Sequence, residues 1–143
     1  MIEPLIPPQA PWQELLQHGP TSTPRITRHA DPDIVYGMCT VGDGGRILAR
    51  VLLSQLGWSP GLPLLVEPDD GLLLVRPSAD GPTVLGPRRS LRVPFRQRRR
   101  VGLSIGDRVL LVGRRSGQRL AIHPPAALDE LFTPSLRSLE RRP

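Results

Sequence analysis

Apolar and polar residues alternate along this chain in short bursts, and the same order of bursts occurs twice. Ile34–Val41 carries β-branched and aromatic residues (Ile34, Val35, Tyr36, Val41) and runs into Gly42-Asp43-Gly44-Gly45. That pattern predicts a strand entering a tight turn. Arg46–Ala49 resumes in extended form. Arg50–Leu56 then spaces Val51, Leu52, Leu53 and Leu56 at intervals that include three and four, which predicts a two-turn helix. Gly57 stands where helices commonly stop in a left-handed conformation. After a turn at Ser59-Pro60-Gly61, Leu64-Leu65-Val66 reads as a strand, Glu67–Gly71 as a hairpin loop and Leu72–Arg76 as the returning strand. Asp70-Gly71 between two apolar runs is a strong local hairpin signal.

The second pass has the same grammar. Val84-Leu85 is a short first strand and Ser90–Val93 a second. Pro94 precedes a helix over Phe95–Val101, at a place where its missing N–H costs nothing, and Gly102 ends that helix. Ser104-Ile105-Gly106-Asp107 is a turn. Arg108–Val112 and Arg119–Ile122 form a hairpin around Gly113–Gly117. Gly57 and Gly102, like Gly61 and Gly106, stand 45 residues apart. A period of this size marks one supersecondary unit used more than once, and two copies exclude a long solenoid. The fold class this predicts is mostly β with short helices: two tandem β-β-α-β-β units, residues 34–77 and 83–124. Each unit is near the size below which a lone core fails, so the two must complete each other. The linker Ser78–Pro82 is short, which favours one small barrel closed within the chain over pairing between two chains.

Residues 1–33 are rich in proline and hold no lasting periodicity, which predicts a flexible N-terminal arm; the alternative is a short helical turn at Trp12–Gln17 packed on a neighbour. Residues 125–143 read as a short helical or flexible tail, with ALDELF and SLRSLERR broken by Pro134. Leu128, Leu131 and Phe132 there form an apolar stripe that docks on the barrel or meets another protein.

Charge changes the picture. The chain has 143 residues and a formal net charge of +6, and all 19 basic residues are arginine. Residues 1–85 are net acidic, whereas residues 86–143 hold 14 arginines against four acids. Between Arg88 and Arg100 stand seven arginines and no acid. Like charges held this close repel, and a polyanion relieves the cost. Arginine presents a planar fork that suits both phosphate and guanine. Arg96, Arg99 and Arg100 share one face of the short helix. Arg114, Arg115 and Arg119 on the second hairpin either extend this surface or keep a sheet edge soluble.

The second copy, VPFRQRRRVGLSIGDRVLL, resembles the SpoVT/AbrB-like swapped-hairpin family, which includes AbrB transition-state regulators, MazE-type antitoxins and MraZ regulators. Val93-Pro94, Arg98-Arg99, Val101-Gly102-Leu103 and Gly106-Asp107 fall on its pattern without a gap. The first copy matches at Gly45-Arg46-Ile47, Leu56-Gly57-Trp58 and Gly61, and is one residue shorter between Arg46 and Gly57. It lacks the proline before the helix and the arginine pair within it, and has Leu62 where Asp is usual. The resemblance spans about residues 34–124. It implies a swapped-hairpin β-barrel and DNA binding by basic residues near the turns and short helices, which points to Arg46, Arg98 and Arg99. The charge pattern adds Arg50, Arg88, Arg89, Arg92, Arg96 and Arg100.

The function expected is a sequence-specific double-stranded DNA-binding transcriptional regulator, cytoplasmic and nucleoid-associated. The alternative is an antitoxin-like interaction module that neutralises a toxin or other protein through its arm or tail. A homodimer is compatible with either. No cofactor, metal or membrane partner is expected. His18, His29 and His123 are scattered, Cys39 stands alone, and no spacing fits a zinc site. Asp69-Asp70 belongs to a turn. Gly42–Gly45 lacks the helix and lysine that follow a phosphate-binding loop. No nucleophile–base order stands out, so an enzyme is not expected.

Overall fold

The computed structural model describes residues 30–141; the alternative helical turn at Trp12–Gln17 lies outside the described residues. Contacts divide the chain between Ala30 and Asp31, and the fold below is that of the second unit. It is mostly β, with four short helices. In chain order it runs β1 (Ile34–Thr40), β2 (Arg46–Leu48), α1 (Arg50–Gln55), β3 (Pro63–Asp69), β4 (Leu72–Pro77), β5 (Thr83–Val84), β6 (Ser90–Arg92), α2 (Phe95–Arg100), β7 (Arg108–Arg114), β8 (Arg119–His123), α3 (Pro125–Leu131) and α4 (Thr133–Glu140).

Six strands form an antiparallel sheet in the order β1-β7-β8-β4-β3-β5, and β2 pairs with β6 in a separate two-stranded ribbon. Period-2 alternation decides which residues face inward. Leu64 and Val66 of β3, Leu73 and Val75 of β4, Val109 and Leu111 of β7, and Leu120 and Ile122 of β8 are all buried. Ile47 and Leu91 sit opposite each other on the ribbon, both fully buried, and close the core from its side. Leu52 and Leu53 of α1, with Leu56 at its C-terminal cap and Trp58, complete it.

Two glycines inside strands make room for these helix leucines. A Cβ on Gly113 would lie 2.9 Å from Val35 and 3.1 Å from Leu56, and one on Gly37 would lie 3.0 Å from Leu52. Strand glycine here marks close approach of another element.

The β3–β4 connection is tighter than the sequence pattern predicts. Both strands run on until only Asp70 and Gly71 remain, with φ of 52° and 82°. Two left-handed residues in succession match the twist of the hairpin strands. Pro68 therefore lies within β3, opposite Leu73, on a stretch that β5 does not reach. A proline is tolerated there because its missing donor would have faced an open edge. The second hairpin likewise extends to Arg114 and restarts at Arg119, so Gly113 belongs to β7 and not to the loop.

Asp33 ties the start of β1 to the β7–β8 loop. Its carboxylate accepts hydrogen bonds from the Ser116 hydroxyl (2.7 Å), the Ser116 N–H (2.8 Å) and Arg114 (3.2 Å), and its carbonyl accepts one from the Arg115 N–H. These Ser116 donors, with help from Arg114, hold the Asp33 carboxyl below its ordinary value. A lowered folded-state pKa means that the contribution is present above the unfolded value and is lost as pH falls through the folded value. Asp33→Asn should therefore reduce stability at neutral pH, and the difference from wild type should shrink as pH drops through the ordinary carboxylate range. Urea unfolding of both proteins between pH 7 and pH 2 checks this, and a gap that widens toward acid would contradict it.

Candidate nucleic-acid interface

The β2–β6 ribbon organises the nine arginines singled out in the sequence. Because Ile47 and Leu91 point inward, their neighbours point outward: Arg46 lies opposite Arg92 at one end, and Leu48 opposite Ser90 at the other. Arg46, Leu48 and Arg92 are exposed.

Each end of the ribbon is flanked by a one-turn 3-10 segment and a helix drawn from different parts of the chain. At the Arg46–Arg92 end lie the Asp43–Gly45 turn and α2. The Gly45 carbonyl accepts the Val93 N–H at 2.9 Å, and a Cβ on Gly45 would lie 2.5 Å from the Arg98 side chain and from the Val93 carbonyl. At the Leu48–Ser90 end lie the Pro87–Arg89 turn and α1, which pack on each other. The chain segment Arg88–Arg100, a single basic run in sequence, is thus split in space. Arg88 and Arg89 join Arg50 at one end. Arg92, Arg96, Arg98, Arg99 and Arg100 join Arg46 at the other.

Two of the nine arginines are committed to holding the fold. Arg98 is half-buried, and its Nε donates to the Val93 carbonyl at 3.1 Å, bracing the start of α2. Arg89 donates from Nε to the Trp58 carbonyl at 2.8 Å. Trp58, 1% exposed, donates its indole N–H to Gln118 Oε1 at 2.8 Å, and Gln118 Nε2 donates to the carbonyls of Leu56 and Arg115, each at 2.9 Å. This chain of bonds joins the Pro87–Arg89 turn, the end of α1 and the β7–β8 loop. It also accounts for two non-glycine residues in left-handed conformation, Arg89 (φ 55°) and Gln118 (φ 51°), since such strain persists where surroundings over-determine it.

The other arginines are available. Arg46, Arg50, Arg88, Arg92, Arg96, Arg99 and Arg100 are exposed. Among the described residues none of these seven is in salt-bridge range of a carboxylate; the ion pairs seen are Arg114–Asp33 and Arg76–Glu67. The guanidinium groups of Arg98 and Arg99 lie 5.4 and 5.7 Å from the centroid of the Phe95 ring, which is 62% exposed. Cation–π attraction holds both near the ring face. Arg114 is engaged with Asp33, while Arg115 and Arg119 are exposed.

The remaining chemistry-bearing residues do not gather. Burial pushes the Cys39 thiol up, against the pull of Arg108, so it stays protonated near neutrality. His123 is half-buried, and its Nδ1 has no partner among the described residues. Among those residues no group of three or more His, Cys, Asp or Glu is placed to hold a metal ion. No described helix is long and apolar enough to cross a membrane.

Sequence reasoning missed the division of the arginine run and the structural duties of Arg89 and Arg98. A signal was present: Arg88-Arg89 align with Gly44-Gly45 at an offset of 44, so two arginines occupy positions that suit glycine. No family model, curated protein or solved structure matches the chain.

Arg98→Ala should lower unfolding free energy by about 1–2 kcal/mol, since it removes a partly buried hydrogen bond to a charged donor. Arg99→Ala should cost less, about 0.5 kcal/mol, since it loses only an exposed cation–π contact and no hydrogen bond. Denaturant unfolding distinguishes the two, and equal effects would remove the distinction between bracing and free arginines.

Proposed function

We propose that this chain is a sequence-specific double-stranded DNA-binding transcriptional regulator that acts through the arginine face of the β2–β6 ribbon, in the manner of the AbrB-like swapped-hairpin family. The observation that carries the reading is seven exposed arginines with no acid partner among the described residues, gathered on and around one ribbon. Such a surface repels itself and is relieved by a polyanion. Phosphate contacts would position the duplex, and a guanidinium reaching a base edge would specify sequence.

Strand pairing supports the reading of two interlocked β-β-α-β-β units. β1 pairs with β7, and β5 pairs with β3, so each unit's first strand joins the other unit's third. The second strands pair with each other about Ile47 and Leu91, and the fourth strands about Leu74 and Ala121. Exchange of equivalent elements is what a pseudo-twofold unit within one chain requires, and it argues for closure inside the chain. A ribbon on that axis would present both ends to one duplex, with the helix of one unit beside the turn of the other.

Binding of a DNA duplex should fall steeply with salt. If about six phosphates are neutralised, the log–log slope should be roughly −5. Replacing Arg96, Arg99 and Arg100 with Ala should weaken binding far more than replacing Arg137 and Arg141. Fluorescence anisotropy across a salt series measures both, and absence of DNA binding at low salt would end the proposal.

A second reading, an antitoxin-like module, is favoured by the tail. Phe132, Leu136 and Leu139 are spaced by four and three, and Leu139 is 80% exposed. α3 packs on β7 and β8, while this stripe is left open to another protein. Leu136→Ser with Leu139→Ser should leave DNA affinity unchanged but abolish co-purification of a toxin expressed from a neighbouring reading frame. Retention of that toxin would exclude the tail as its binding site.

A further inference from the structure

Arg46 and Arg92 are directly opposite residues of an antiparallel ribbon, both pointing away from the core. Opposed residues in such a pair have Cα atoms about 4.5–5.5 Å apart. Like charges placed so destabilise the pairing. Neither is in salt-bridge range of a carboxylate among the described residues, and the Asp43 carboxylate three residues from Arg46 pairs with neither. The Arg92 guanidinium lies along the backbone of the left-handed turn, 3.3 Å from where a Cβ on Gly44 would stand. Glycine there lets the guanidinium lie close against the turn. Both side chains border a surface groove of about 430 Å³ that also takes in Thr83 and Ser90.

The geometry points to a phosphate clamp: a single phosphoryl group bridges the Arg46 and Arg92 guanidinium groups across the ribbon. Each guanidinium offers a planar fork of donors matched to phosphate oxygens, and one dianion or diester between them converts a repulsive pair into two charge-assisted contacts. The ribbon fixes the spacing of the two backbones, so only the two side chains are ordered on binding. At the other end the corresponding pair is Leu48 and Ser90, which have no charge to offer. The clamp is therefore single and off-centre, and gives the ribbon a direction. The source of the phosphoryl group, a DNA backbone or free phosphate, rests on the reading above; the clamp does not.

The test uses the full chain with Arg46→Gln, Arg92→Gln and the double variant, which keep most of each side-chain stem, and Arg137→Gln as control. In the first arm, thermal midpoints are compared in inorganic phosphate and in chloride at equal ionic strength. Phosphate should raise the midpoint of wild type and control above the chloride value, and each of the three clamp variants should lose that rise. In low-salt chloride alone Arg46→Gln should be at least as stable as wild type, because repulsion is relieved; a purely structural role would move it the other way. In the second arm the salt slope of DNA binding is measured. A shared phosphate predicts that the double variant reduces the slope by about one in total, because only one phosphate is lost however many arginines hold it. A loss of about two in the double variant would mean two separate contacts and overturn the clamp. A wild-type midpoint indifferent to phosphate, or variants that keep the rise, would overturn it as well. DNA binding with unchanged slopes would remove the clamp and leave the DNA reading standing. Failure of wild type to bind DNA, with the phosphate rise lost only in the clamp variants, would remove the DNA reading and support a site for a free phosphoryl group.

Discussion

The burial of Ile47 against Leu91 is the constraint on which the arginine face depends. Side chains on a strand alternate between faces, so fixing two residues inward fixes four outward. A slip of one residue in the ribbon would send arginines into the core and leucine to solvent, at a large desolvation cost. The three-residue pairing is too short to be held by its own hydrogen bonds. It is held by the core beneath it and by the turns and helices at its ends. The polar face is in this sense a by-product of packing: the core chooses the register, and the register chooses which arginines face each other.

The two flanking turns show how different residues solve one backbone problem. Both turns place two consecutive residues in the left-handed region. In the first these are Gly44 and Gly45, which adopt it without steric cost; in the second they are Arg88 and Arg89, which do not. The compensation at Arg89 is the bond to the Trp58 carbonyl, and Trp58 is itself fixed through Gln118. The second turn is thus tied to a distant loop, while the first gains something else from its glycines. Their lack of side chains lets the Arg92 guanidinium and the Arg98 side chain lie close against the turn.

Element order and type were legible because they rest on local signals. Gly57 and Gly102 mark helix ends, Asp70-Gly71 marks a hairpin, and leucine alternation marks inner faces; the structure places a strand or helix at each. Where boundaries moved, partner strands were the cause: β3 runs past Pro68 because β4 pairs with it to the turn. The roles of individual arginines were less legible. Sequence spacing puts Arg88 through Arg100 in one cluster, but the chain between them crosses the ribbon, so proximity along the chain is not proximity in space. Leu53 and Arg98 stand at equivalent helix positions 45 residues apart, and Leu53 fills the core while Arg98 braces a carbonyl. No composition or charge count distinguishes a bracing arginine from a free one.

The two ends of the ribbon are built alike and charged differently. One end offers Arg46, Arg92, Arg96, Arg99 and Arg100 to solvent, and the other Arg50 and Arg88. If each end meets the phosphates of one duplex, counterion release is weighted toward the α2 end. A protein made of two identical chains could not produce that bias, because its axis would equalise the ends. Within a single chain the residues at each end can change independently. The result is a basic surface with a strong and a weak end, and under the DNA-binding proposal that asymmetry would match a duplex site whose halves differ.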